Sequence, residues 1–215
     1  LVGVTGATSR FVCVAGGIIM IVLGLWPKTA ALGVGMPAVV LGGAGKALGM
    51  GSVRSGDGRI LTALSVLGHG NNVDARFADG TVIAGRVVQF DRGWDLALVA
   101  AVTPHSDQGL RASRVAPAKE SKLTAFGPGA KALAAAPVRI KNSATLVGGD
   151  NVPLVSALVL DSKHKATELG SPVIDEKGDV VAILAQACAG AADKPCSLAP
   201  FGAPVVPLVK WSSAG

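Results

Sequence analysis

Residues 72–102 read NVDARFADGTVIAGRVVQFDRGWDLALVAAV, and the alternation in this stretch decides the fold. Asn72 to Ala78 alternates apolar and polar residues with period two. Asp79-Gly80 then supplies a two-residue turn that favours positive φ, and Thr81 to Phe90 alternates again. The pattern predicts a β-hairpin, because an Asp-Gly turn matches the twist of the strands it joins. Asp95 to Val102 (DLALVAAV) is a short apolar run of the kind found in fully buried strands. Upstream, Arg59 to Val66 (RILTALSV) reads the same way. Downstream, Lys122 to Phe126, Val138 to Ile140 and Val155 to Leu160 are further short apolar candidates. Ser171 to Leu184 (SPVIDEKGDVVAIL) is a second hairpin with Glu176-Lys177-Gly178 at its tip. Many short strands separated by turn residues predict an all-β sandwich or barrel.

Composition agrees. Half of the 215 residues are hydrophobic and only 16% are charged, which excludes a disordered chain. The 29 glycines and 12 prolines suit turns and short strands better than long helices. Net charge is 20 − 14 = +6, of which Arg10, Lys28 and Lys46 supply +3 with no acid among the first fifty residues. The remaining 165 residues hold 17 basic and 14 acidic side chains, and no Lys/Arg cluster interleaves with aromatics. Nucleic acid is therefore not an expected partner.

The apolar residues concentrate at the N-terminus. Phe11 to Trp26 (FVCVAGGIIMIVLGLW) runs sixteen residues without a charge, bracketed by Arg10 and Lys28, with Trp26 at an interfacial position. With its flanks it approaches the roughly 20 residues that span a bilayer. The favoured reading is a membrane helix over about 11–27, within a membrane-associated segment 1–46 that precedes a domain over 47–215. A signal sequence or a buried core helix is the alternative, and no small-residue cleavage site follows promptly after Trp26. The second uncharged run, Thr29 to Gly45, holds five glycines and Pro37 and makes a poor helix. TGATSR (Thr5 to Arg10), LGLWPK (Leu23 to Lys28) and MPAVVLGGAG (Met36 to Gly45) resemble a late segment of the nucleobase (xanthine/uracil/urate) permeases. Those transporters need a dozen or more spans. The resemblance implies at most a piece of such a protein, and a piece cannot transport.

Three ordered stretches of the body, GMGSVRSGDGRILTALSV (Gly49 to Val66), ARFADGTVIAGRVVQFDRGWDLALV (Ala75 to Val99) and LGSPVIDEKGDVVAIL (Leu169 to Leu184), resemble the trypsin-like serine proteases, especially their bacterial HtrA/Deg branch. The resemblance implies two six-stranded β-barrels with the active site between them. No PDZ-like module is expected after the body.

The chemistry of that family needs a serine nucleophile, a histidine to take its proton and an aspartate to orient the histidine. Carried over residue by residue, the histidine position of "I-L-T-x-x-His-V" falls on Ser65, the aspartate of "D-L-A-L" on Asp95, and the nucleophile of "Gly-x-Ser-Gly-x-Pro" on Leu169, with Thr167 at the first glycine. A serine hydroxyl is not basic near neutral pH, and leucine has no nucleophilic atom. In a comparable hydrolase, removing the serine or the histidine alone costs on the order of 10⁶ in kcat. The expected function is a catalytically inactive homologue, a membrane-tethered pseudoprotease that binds a protein or peptide as a scaffold or accessory subunit. The alternatives are a residual HtrA-type endopeptidase and a transporter-derived fragment.

Three residues test that reading. Ser171, in Gly170-Ser171-Pro172, aligns two residues beyond the nucleophile, where small residues serve the turn. Gly170 and Ser171 are retained as a candidate binding element of the former nucleophile loop. His69, four residues beyond Ser65, and His164 read as surface-loop residues. Asp95 is expected to tie the barrels together by hydrogen bonds. His69, His105 and His164 show no metal-ligand spacing, and no Cys-x-x-Cys exists. No metal and no cofactor is expected, since Gly42-Gly43 and Gly148-Gly149 lack the Lys-Ser/Thr of a phosphate loop. Cys13 lies in the apolar head. Cys188 and Cys196 are separated by seven residues, including Gly190 and Pro195, and form a candidate disulfide if the body is extracytoplasmic. The resemblance and this pair favour a membrane-anchored, periplasmic placement.

Overall fold

The computed structural model describes residues 38–43, 46–68, 70–77, 79–103, 109–128, 133–161, 168–188 and 198–204. The expected helix over about 11–27 lies outside them. Among the described residues no helix is long and apolar enough to cross a membrane.

The described strands all fall within one compact unit, Pro37–Gly215. Its first half is a closed antiparallel barrel. The strands are β1 (Ala38–Gly43), β2 (Lys46–Val53), β3 (Ile60–Ala63), β4 (Asn72–Arg76), β5 (Val82–Asp91) and β6 (Leu96–Ala101). They close in the order β1-β2-β3-β6-β5-β4. β4 and β5 form the expected hairpin, with Arg76 opposite Val82 and Asn72 opposite Arg86. Its tip is one residue longer than a two-residue turn. Phe77 N–H donates to Thr81 O at 2.8 Å and Gly80 N–H to Phe77 O at 3.0 Å. Gly80 takes the positive φ, +86°, that such a tip requires. The Asp79 carboxylate accepts the Thr81 amide at 2.8 Å.

Alternation does what the sequence implies. Val73 and Ala75 of β4 point inward while Asn72, Asp74 and Arg76 face out. The uniformly apolar Leu96–Val99 stretch of β6 is fully buried. Leu96, Leu98 and Val99 each contribute about 1.5–3 kcal/mol by leaving water. The expected strand over Arg59–Val66 is shorter than its apolar run. It ends at Ala63, and the chain turns into one helical turn, α1 (Leu64–Leu67). Val66 and Leu67 still reach the core from that turn, so burial is kept while the strand stops.

The second half comprises β7 (Leu123–Pro128), β8 (Leu133–Val138), β9 (Ile140–Val147), β10 (Pro153–Leu160), β11 (Pro172–Ile174), β12 (Val180–Cys188) and β13 (Leu198–Pro204). The expected second six-stranded barrel is instead a seven-stranded sheet ordered β13-β10-β9-β12-β11-β7-β8, in which β13 also pairs with β12. Extra pairing falls to β8, which runs on into β9 through Arg139 and lies against β7. The hairpin expected over Ser171–Leu184 is β11 with β12, Pro172 facing Ile183. Leu123, Val138, Ile140, Leu158, Val173 and Leu184 belong to its core.

The connecting chain is strapped to both halves. Leu110 N–H donates to Val53 O at 2.8 Å, Ser113 N–H to Val180 O at 2.8 Å and Val180 N–H to Arg111 O at 2.8 Å. The two halves therefore meet in a fixed register, and the candidate site lies where they meet.

Candidate functional site

Asp95 stands between β5 and β6 with φ +55°, a left-handed torsion that non-glycine residues rarely hold. Such torsions cost of order 1–3 kcal/mol and persist only where the surroundings impose them. Here the surroundings do. Leu64 N–H donates to the Asp95 carbonyl at 2.9 Å. The carboxylate, in a residue only 9% exposed, gathers three donors. Oδ1 accepts the Ser65 amide at 2.7 Å. Oδ2 accepts the Ser65 hydroxyl at 2.8 Å and the Gln186 amide at 2.8 Å. Ser65 belongs to α1 of the barrel and Gln186 to β12 of the sheet, so one carboxylate ties the halves together. Burial pushes the Asp95 carboxyl up from its ordinary range, and the bonds from Gln186 and Ser65 pull against that without overcoming it.

Ser65 is itself exposed. Its hydroxyl is committed to Asp95 as a donor, and the serine occupies the position the resemblance assigned to a proton-accepting imidazole.

Leu169, at the assigned nucleophile position, is 4% exposed. It packs in the barrel's core cluster with Ile60, Ala63, Val66 and Leu67. Its carbonyl accepts the Met50 amide at 2.8 Å. The main chain is pinned by Gly170, whose φ is +82°. A Cβ there would lie 2.0 Å from Met50 O and 2.4 Å from Thr62 Oγ1, so only glycine fits where the two halves touch. Thr62 in turn donates its hydroxyl to Met50 O at 2.6 Å.

Ser171 is fully buried, at 0% exposure. Its Oγ accepts the Phe126 amide at 3.1 Å and donates to Pro172 O at 3.3 Å. Its amide and carbonyl are bonded to Glu168 O and the Leu184 amide. This hydroxyl shapes the entry to β11. Gly170 is buried with it, and its amide donates to Leu184 O at 2.8 Å.

The structure thus brings Ser65 and Asp95 into contact and sets Leu169 in the core beside α1. Thr167, His69, His105, His164, Cys13 and Cys196 lie outside the described residues. The backbone of Cys188 ends β12, opposite Val147 of β9 and Leu198 of β13. Among the described residues no cluster of His, Cys, Asp or Glu could hold a metal ion. Sequence reasoning missed Gln186. It acts through its backbone amide, which every residue but proline carries, so its side chain gave no signal.

A model of the trypsin-like peptidase domain matches residues 49–183. Solved structures of similar shape include the MamO protease domain from Magnetospirillum magneticum in its apo form, at TM-score 0.67 and 22% identity over 83% of this chain and 96% of that one. The inactive form of the Rv3671c protease from M. tuberculosis aligns at TM-score 0.67 and 21% identity, over 88% of this chain and 94% of that one. The HtrA-type protease AlgW with a decapeptide aligns at TM-score 0.65 and 12% identity, over 84% and 64%. Identities this low speak for the fold alone. Separately, 45 residues are 53% identical to the uric acid transporter UacT of Escherichia coli (strain K12), which is 21% of this chain and 9% of that protein.

Proposed function

Because this chain belongs to the trypsin-like peptidase domain family, we propose that it is a member that keeps the scaffold and has given up the reaction. It holds an extended protein or peptide segment and does not cut it. One observation carries the reading: Leu169 fills the nucleophile position with an alkyl side chain turned into the core, while Ser65 at the base position spends its hydroxyl on Asp95. Without a nucleophile and a base, acyl transfer has no first step. Neither loss is repaired by Ser171, whose hydroxyl is buried and bonded on both sides.

Binding survives such losses. Strand addition needs backbone hydrogen bonds and side-chain pockets, not a triad. The apolar N-terminal stretch supports a membrane tether, and the Cys188/Cys196 pair supports a placement outside the cytoplasm, where the segment held belongs to a peptide or to another membrane subunit. A transport role has little support, since the transporter-like stretch corresponds to 9% of UacT.

Fluorescein-labelled casein, an unstructured substrate, tests both halves of the proposal on the full chain. The expected result is a saturable rise in anisotropy with the casein recovered at its intact mass. New casein termini that vanish in Ser171→Ala would establish a hydrolase and overturn the reading. Absence of any anisotropy change would overturn the binding role.

A further inference from the structure

Among the described side chains Asp95 is the only buried acidic or basic one, and it lies on the seam between barrel and sheet. All three groups reaching its carboxylate are donors. Two are backbone amides, which cannot reverse. The third, the Ser65 hydroxyl, can rotate from donor to acceptor, and Ser65 is open to solvent.

We propose that Asp95 is a proton-sensitive latch on this seam, with Ser65 as the rotor that admits the proton. A proton from water binds Oδ2. Ser65 Oγ turns to accept it, directing its own O–H to solvent, and the Gln186 amide stays on the second lone pair of Oδ2. No bond across the seam is lost, and a buried charge is removed. Uptake of the proton stabilises the folded chain, because an ionised carboxylate without a countercharge is costly in such a place.

Among the described residues, no charged side chain from the packed elements offsets that charge. β3, α1, β6 and residues 180–186 of β12 contain no ionisable residue. On the turn before β6, the Asp91 carboxylate accepts the Trp94 amide at 3.0 Å and the Arg92 guanidinium lies 5.5 Å over the Phe90 ring. Glu168 lies against Gly127. The carboxyl is raised in the folded chain by burial. The folded state therefore holds the proton more tightly than the unfolded one. The stabilisation is full below the ordinary aspartate value of about 3.9 and is lost as pH rises through the raised value.

The test compares thermal midpoints of the full chain and of Asp95→Asn between pH 3 and 8. The wild type is expected to gain on the variant as pH falls through the window above about 3.9. A difference that stays constant, or that runs the other way, overturns the proposal. Should the variant not fold, ¹³C NMR of the wild-type Asp95 carboxyl gives the answer directly. A titration midpoint above about 3.9, tracked by the Gln186 amide shift, is expected. A midpoint at or below that value, or a Gln186 amide indifferent to it, overturns the proposal.

Discussion

The turn after β3 and the segment before β11 carry the positions that the family resemblance assigns to base and nucleophile, and these are filled in opposite ways. At Ser65 the replacement is polar, solvent-exposed and hydrogen-bonded to the aspartate it faces. At Leu169 it is apolar and part of the barrel core. The short Ser65 side chain still reaches the aspartate. The Leu169 side chain instead contributes to packing of the barrel core. The contrast predicts that stability is far more sensitive at Leu169 than at Ser65.

The largest effect is expected for Leu169→Ser. Removing the buried side chain leaves a cavity, which costs about 2–5 kcal/mol for leucine truncations, and the new hydroxyl enters apolar surroundings. Urea unfolding should show the midpoint fall sharply. A loss below about 1 kcal/mol would mean that Leu169 is not integral to the core. Ser65→Ala sharpens the comparison. It removes one hydroxyl bond to Asp95 while leaving the amide bond, and a net loss of about 0.5–1.5 kcal/mol is expected, read in the same unfolding experiment. A loss matching that of Leu169→Ser would erase the distinction between the two loops.

The smallest effect is expected at Asp57, which contrasts with Asp95 in another way. Arg54 and Arg59 pair with it on an exposed turn. Burial raises its carboxyl, but the Arg54 hydrogen bond, the Arg59 amide and the two guanidinium charges outweigh burial and hold it below the ordinary range. Its contribution is therefore present above about 3.9 and lost as pH falls through the lowered value, the reverse of Asp95. Asp57→Asn should cost less than about 1 kcal/mol near neutral pH. The difference should shrink in 1 M salt, where screening acts within about 3 Å. A salt-independent cost would point to a role other than ion pairing.

What the sequence made legible follows from period and turn chemistry. The β4–β5 and β11–β12 hairpins were readable because alternation and glycine-bearing turns point the same way. β1 was not. Its run AVVLGG is uniformly apolar and glycine-rich, without alternation, and it falls within the stretch that resembles a permease. The end of β3 was hidden for a similar reason, since ALSVL satisfies a buried strand and a buried helical turn equally. β8 is largely alanine and proline, residues without strand preference. At the site, Ser65, Asp95 and Leu169 were placed by motif; Ser65 and Asp95 are hydrogen-bonded. The Gln186 contact and the burial of Ser171 could not be read, because both arise from main-chain geometry between distant strands.

The proposed loss of the reaction requires that no serine of this chain be activated as a nucleophile. Intact-mass spectrometry of the full chain after exposure to a fluorophosphonate, with an active trypsin as positive control, tests it most directly. The expected spectrum shows trypsin fully modified and this chain at its unmodified mass. A single phosphonyl adduct, mapped to a serine and abolished by mutating that serine to alanine, would contradict the account.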